Sequence, residues 1–282
     1  MPGVITLLTD FGSQDAYVAA MKGVVLSIAP SVTLIDITHS IPPQDIYAAA
    51  FTLGASHAFF PRRTIHIVVV DPGVGTQRRA LLLQTPDALF LAPDNGVLTY
   101  VVEAFRDAHP NTAPTGHLST PPPLVSVAVP APLRAYILAN KALFRPQISQ
   151  TFHGRDIFAP VAAHLSMGVP PEEVGPLLGE ITVFALPHLQ HGQDRSLIGT
   201  IIHVDNFGNL ITNLKTEVLP KGDLEVIVGG SVIRGLRTSY GGGGELLAIV
   251  GGSGYLEIAA ENGSAAQLLR IGRWSPVQVR PI

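Results

Sequence analysis

Thr64-Ile65-His66-Ile67-Val68-Val69-Val70 runs without a break into Asp71-Pro72-Gly73-Val74-Gly75-Thr76-Gln77-Arg78-Arg79. The first seven residues are too β-branched for a helix and, His66 apart, too continuously apolar for a half-exposed strand. They predict a strand buried on both faces. The turn that follows sets a carboxylate at the strand end, then two glycines that let backbone approach a ligand, then an Arg that can fold back towards Asp71. In open α/β sheets that end of a strand is where ligands bind. The loop is not a dinucleotide fingerprint, because Arg78 stands where a third glycine belongs, and it lacks the Gly-Lys-Ser/Thr of a Walker loop. A turn carrying a surface Arg-Asp pair explains it equally well at this point.

On either side, short apolar runs alternate with segments of helical period. Gly3 to Leu8 reads as a first strand, Ser13 to Pro30 as a helix, and Val32 to Ile37 as a second strand. Asp45 opens another helix, and Leu81 to Leu83 and Leu89 to Leu91 read as further strands. Asn95-Gly96 turns into a helical stretch around Leu98 to Val102, and Asp156 to Met167 gives one more helix. The proline-rich stretch His109 to Pro132 predicts a surface excursion rather than a sheet strand. After about residue 190, Leu197 to Val204, Leu224 to Val228, Leu246 to Val250 and Tyr255 to Ile258 are short runs punctuated by Gly, Asn and Pro, with Gly241 to Gly244 a low-complexity turn. The expected architecture is an α/β N-terminal domain with a largely parallel central sheet, residues 1–188, and a smaller all-β, barrel-like C-terminal domain, residues 195–282.

The chain of 282 residues carries 18 Lys and Arg against 21 Asp and Glu, a net charge of −3, with no basic stripe. Nucleic acid is therefore an unexpected partner. No apolar run approaches the roughly 20 residues of a membrane span, and no basic segment precedes the apolar N-terminal run, so a cytoplasmic protein without a membrane partner is expected. The absence of Cys removes thiolate nucleophiles, disulfides and Cys metal sites.

Asp10, Asp71 and Asp94 each follow a predicted strand. Asp also ends strands simply because it makes turns. His153-Gly154-Arg155-Asp156 stands just before a helix, where an imidazole could face a cleft. Asp205-Asn206-Phe207-Gly208-Asn209 packs amides and a carboxylate around one aromatic, a group that suits a purine and equally suits a hairpin loop.

Together these segments closely resemble the S-adenosyl-L-methionine (SAM) hydroxide adenosyltransferases, relatives of fluorinase and chlorinase. The likeness runs through Thr9 to Gly12, Asp15, Met21 to Gly23, Asp36 to His39, Val70 to Thr76, Ala92 to Gly96, Thr151 to Phe158, Phe207 to Asn213 and Gly254 to Ile258. It implies hydrolysis of SAM to adenosine and L-methionine, with no cofactor and no metal, in a homotrimer whose sites lie between one subunit's N-terminal domain and its neighbour's C-terminal domain. By position, Asp71, Arg78 and His153 are the implied water-activating trio, and Asp10 the carboxylate for the ribose hydroxyls, with Asp15, Tyr17 and Gly154 nearby. Asp205 is implied for the methionine ammonium, Asn209 and Phe207 for adenine, Ser253 for the methionine carboxylate, and Tyr255 as a further substrate-binding residue. Ala260, Glu261 and Asn262 complete adenine recognition. The halogenases carry an aromatic in place of Asp71 and no Arg in place of Arg78, and a tryptophan where Gln44 stands. Two other readings compete: a metal-dependent phosphohydrolase using Asp10, Asp71 and Asp94, and a SAM- or adenosine-binding protein without turnover.

Overall fold

In the computed structural model, which describes residues 3–106, 120–192, 194–241 and 245–282, Val4–Thr9 (β1) lies between Thr33–Thr38 (β2) and Thr64–Val69 (β3), parallel to both. Tyr17–Ile28 (α1) connects β1 to β2, and Ile46–Ser56 (α2) connects β2 to β3. The second helix starts as its sequence predicts, with the Asp45 side chain accepting the Ala48 N–H at 3.0 Å. Strand Ala88–Pro93 (β5) continues the parallel half beside β3, but Ala80–Gln84 (β4) pairs antiparallel with it through a tight turn. Arg134–Ile137 (β7) and Leu177–Leu178 (β8) extend the antiparallel half, giving the order β2-β1-β3-β5-β4-β7-β8. The sheet is thus mixed, with β2, β1, β3 and β5 parallel to one another and β4, β7 and β8 joined on by antiparallel pairings.

The β3 run is buried throughout, as its composition requires. Ile65, Ile67 and Val69 face α1 and Ala159–Ser166 (α4), whereas Val68 and Val70 face α2 and Thr99–Glu103 (α3). His66 accommodates itself in this core by bonding the Thr6 hydroxyl through Nδ1 at 2.8 Å and stacking on Phe90, ring centroids 4.8 Å apart. Burial, with His57 nearby, pushes its pKa down to about 3.

One expectation fails. Within the proline-rich stretch, Leu124–Ala128 (β6) is a strand, pairing antiparallel with Glu180–Phe184 (β9). The prolines flank it, and its alternate exposure shows a two-stranded edge ribbon in which they cost no ladder bonds. Residues 107–119 of that stretch lie outside the described residues, as do 242–244 of the glycine turn.

The chain divides into two units, one of residues 3–106 and Leu124–Phe184, the other of residues 120–123 and the described part of Ala185–Ile282. The second unit is antiparallel. Gln190–His191 (β10) pairs with Leu197–Val204 (β11). Leu210–Lys215 (β12), Leu224–Val228 (β13), Ser231–Arg234 (β14), Leu246–Val250 (β15), Tyr255–Ala260 (β16) and Pro276–Pro281 (β17) complete a sheet ordered β14-β13-β17-β11-β12-β16-β15. Arg237, just past β14, donates its N–H to Ala248 of β15 at 2.8 Å, so the two ends nearly close into a barrel around Leu197, Ile201, Leu214, Val226, Leu256 and Val279.

Candidate active site

At the carboxyl ends of β1 and β3 lies a cleft of about 410 Å³. Asp10 enters it directly after β1, with its Oδ2 accepting the Gln44 N–H at 2.8 Å. Phe11, Tyr17 and Phe152 form one wall, their ring centroids 5.3–5.8 Å apart in edge-on and tilted contacts. Asp71, Val74, His153 and Gly154 line the cleft as well.

The turn after β3 folds Arg78 back onto Asp71. Arg78 Nε lies 2.9 Å from each Asp71 oxygen, and Nη2 adds a second bond to Oδ2. Both side chains are nearly buried, 4% exposed for Asp71 and 11% for Arg78, so removing either would strand the other at a cost of about 3–5 kcal/mol. Gly75 makes the turn possible. It sits at φ +76°, and a Cβ there would stand 2.3 Å from the Gln150 carbonyl oxygen.

Arg78 Nη2 also reaches His153 Nδ1 at 2.8 Å. A guanidinium only donates, so Nδ1 must accept and the imidazole hydrogen belongs on Nε2. Burial, and then the charge of Arg78, hold the His153 pKa below the ordinary histidine range against the opposing pull of Asp71 and Asp156. At neutral pH the ring is therefore an uncharged donor.

The helix expected from Asp156 begins differently from its sequence reading. Gly154–Phe158 is a π-turn, in which the Ala159 N–H bonds the Gly154 carbonyl five residues back, and α4 follows it. Asp156, fully buried, anchors the turn. Its carboxylate takes bonds from Arg155 at 2.7 and 2.9 Å and from the Ser149 N–H at 2.8 Å, with Arg145 at 3.4 Å. Burial works to raise its pKa, and these donors outweigh that and hold it low. The loop that delivers His153 is thus fixed at Ser149 and at Asp156.

Not every expected residue gathers here. Asp15 is exposed and outside the cleft lining. Asp94 is also outside it, pinned by Arg79 Nε at 2.8 Å and by the Thr182 N–H at 2.8 Å, which removes it from any shared ligand set with Asp10 and Asp71. Residues that the sequence reading had not assigned to the site are Phe11 and Phe152 as walls, the Gln44 N–H, and Asp156 as anchor. For Asp156, its place next to Arg155 and four residues after Phe152 is the signal that the sequence offers.

The second unit holds its own candidates. Asp205 Oδ1 accepts the N–H groups of Phe207 and Asn209 at 2.9 and 2.8 Å, and Oδ2 accepts the Asn209 side-chain amide at 2.9 Å. Gly208, at φ +83°, is required because a Cβ would meet Ser264 Oγ at 2.0 Å. This turn leaves Phe207 76% exposed while Asn209 is buried. Ser253 stands in the tight turn Gly251 to Gly254 and Tyr255 at the start of β16. At its end a turn from Ala260 through Glu261 puts Asn262 in the left-handed region, φ +55°. Glu257, on β16, has its pKa raised by burial, in part offset by the Tyr240 hydroxyl.

The profile described as the SAM hydroxide adenosyltransferase N-terminal domain matches residues 5–117 and 123–175, and that of the corresponding C-terminal domain matches residues 199–278. The chain belongs to the SAM hydroxide adenosyltransferase family. Among curated relatives it is 36% identical to the (R)-S-adenosyl-L-methionine hydrolase of Salinispora tropica, over 73% of this chain and 70% of that one. The protein of the same name from Thermus thermophilus is 37% identical over 74% of each chain. A fluorinase from Actinoplanes is 29% identical over 78% of this chain and 74% of that one. Among solved structures, an uncharacterized conserved protein from Thermotoga maritima superimposes with a TM-score of 0.82 at 34% identity, covering 98% of this chain and 99% of that one. Among the described residues, this family member has no helix long and apolar enough to cross a membrane.

Proposed function

We propose that this protein hydrolyses SAM to adenosine and L-methionine, by in-line attack of water on the ribose 5′ carbon. The observation that carries the reading is the Asp71–Arg78–His153 constellation, of which Asp71 and His153 line the cleft that also holds Asp10. The names of the relatives support the same substrate, and their designation makes the (R) sulfonium epimer the expected one.

The sulfonium leaves as a neutral thioether and needs no acid. The water oxygen forms the bond to C5′, the C5′–S bond breaks, and its electron pair stays on sulfur. Weak nucleophilicity is the obstacle. In this reading Asp71 takes the proton, the uncharged His153 donates through Nε2 to orient the attacking oxygen, and Arg78 stabilises negative charge on it. Asp10 holds the ribose hydroxyls and so fixes C5′ against that nucleophile. Asp205, Asn209, Phe207, Ser253, Tyr255 and the Ala260 to Asn262 turn serve the adenine and methionine ends, supplied in a homotrimer by a neighbouring subunit. Residence in the cytoplasm belongs to the same proposal and is checked by cell fractionation, the trimer by light scattering on the purified protein.

The deciding experiment is incubation with each SAM epimer in oxygen-18 water with EDTA present. Labelled adenosine formed alongside methionine supports the reaction. Intact SAM, or turnover that EDTA abolishes, overturns it.

A further inference from the structure

Thr9, His39 and Asp36 form a line of side chains that the proposed chemistry leaves unused. His39 Nδ1 lies 2.8 Å from the Thr9 hydroxyl, and His39 Nε2 lies 3.0 Å from Asp36 Oδ1. Asp36 Oδ2 accepts from Lys22 Nζ, on α1, at 2.6 Å. Carboxylate, imidazole and hydroxyl in this order match a nucleophilic triad. The burial of Thr9 argues otherwise. It is fully buried as the last residue of β1, and its oxygen accepts the Phe11 N–H at 3.2 Å, so no substrate carbon reaches it.

The bonds instead define an orientation. The ionised Asp36 carboxylate only accepts, so the neutral imidazole carries its hydrogen on Nε2 facing Asp36, Nδ1 accepts, and the Thr9 hydroxyl donates to it. That last contact is short but lies off the line of an ideal hydrogen bond, so it aims the ring mainly by charge. Burial alone would raise the Asp36 pKa, and the contacts with Lys22 and His39 outweigh it and keep the carboxylate ionised. The segment from Asp36 to Gln44 therefore grips residues 9–12 at three points. The His39 ring bonds Thr9, the His39 carbonyl accepts the Gly12 N–H at 2.8 Å, and the Gln44 N–H donates to Asp10 Oδ2 at 2.8 Å.

We propose that His39, aimed by Asp36 and Lys22, is a positioning residue that sets the Asp10 carboxylate for the two ribose hydroxyls. The inference rests on the reading of Asp10 given under Proposed function. His39 touches no reacting atom. It acts through Thr9 and the backbone of the strand end, where a small displacement of the carboxylate costs ribose binding before it costs chemistry.

Thr9→Val removes the hydroxyl while keeping the shape, and Thr9→Ser restores it; Asp36→Asn tests the aiming charge. Dissociation constants for adenosine and 2′-deoxyadenosine, measured by calorimetry, read the ribose grip without requiring turnover, and KM and kcat for SAM read its consequence. Wild type is expected to prefer adenosine. Thr9→Val should shrink that preference about tenfold, the scale of one hydrogen bond to a charged group, and raise KM with kcat within about twofold. Thr9→Ser should retain the wild-type preference, and Asp36→Asn should fall between. Equal weakening for both nucleosides, or Thr9→Ser behaving as Thr9→Val, overturns the positioning role. A wild type that binds adenosine with the expected preference but leaves SAM intact supports the positioning while overturning the hydrolysis. A wild type with no ribose preference overturns both the Asp10 assignment and this inference.

Discussion

The cleft of the first unit and the Asp205 to Asn209 turn of the second solve opposite problems. At the cleft, Asp71, Arg78 and His153 satisfy one another, with the Asp71 and Arg78 side chains almost sealed from solvent and His153 half-buried. In the turn, Asp205 and Asn209 satisfy each other, and the bonds they make push Phe207 outward to 76% exposure. Under the proposed function, charges that act on the reaction are locked before any ligand arrives, which removes reorganisation from the chemical step. On the same proposal, a surface that recognises the flat base is left uncovered, because its energy comes from the area that the ligand itself buries.

The most direct way to break the locked side is Arg78→Ala, which severs the contacts to both Asp71 and His153. Turnover of SAM should fall about 1000-fold in single-turnover assays, against about 100-fold for Asp71→Asn or His153→Ala. If all three lose equally little, the cluster is structural only. On the open side, Phe207→Ala should raise KM about tenfold through lost stacking, with kcat little changed. An effect on kcat alone would show that Phe207 belongs with the machinery and dissolve the contrast.

Acidification sharpens the comparison further. His153 is held neutral below the ordinary histidine pKa, so the rate should persist as pH falls through about 6.5 and decline only at lower pH, where Nδ1 gains a proton and rejects Arg78. The smallest effect is on stability. His66 stays neutral in the folded protein down to about pH 3, whereas the unfolded chain protonates near 6.5. The His66 contribution to stability is therefore fully present above about pH 6.5 and falls by up to about 1.4 kcal/mol per pH unit below it. Urea titrations at pH 7 and pH 5 should show this slope in wild type and a shallower one in His66→Gln.

The two units also differ in how much their sequences disclose. Strands β11, β13 and β15 coincide with the apolar runs that announce them, and the buried run of β3 leads straight to Asp71 and Arg78. What escaped notice depends on partners far along the chain. β6 is a strand only because Leu124 meets Phe184 across an edge ribbon, and β12 hides behind a turn whose Asn and Gly residues read as a loop. Asp94 and Asp10 look alike in sequence, each an Asp after a strand. One is claimed by Arg79 and Thr182, whereas the other keeps an oxygen for the cleft, and only packing decides between them.

The π-turn at Gly154–Phe158 makes the geometry of the cleft a matter of phase. It holds the equivalent of one residue more than an α-helical turn would, and each helical residue turns the chain by about 100°. Deleting a single residue there would let α4 run on smoothly and improve its hydrogen bonding. It would also rotate His153 about a quarter-turn out of step with Arg78. A shorter, more regular helix is thus open to this sequence by one codon, and the imidazole's aim is what that regularity would forfeit.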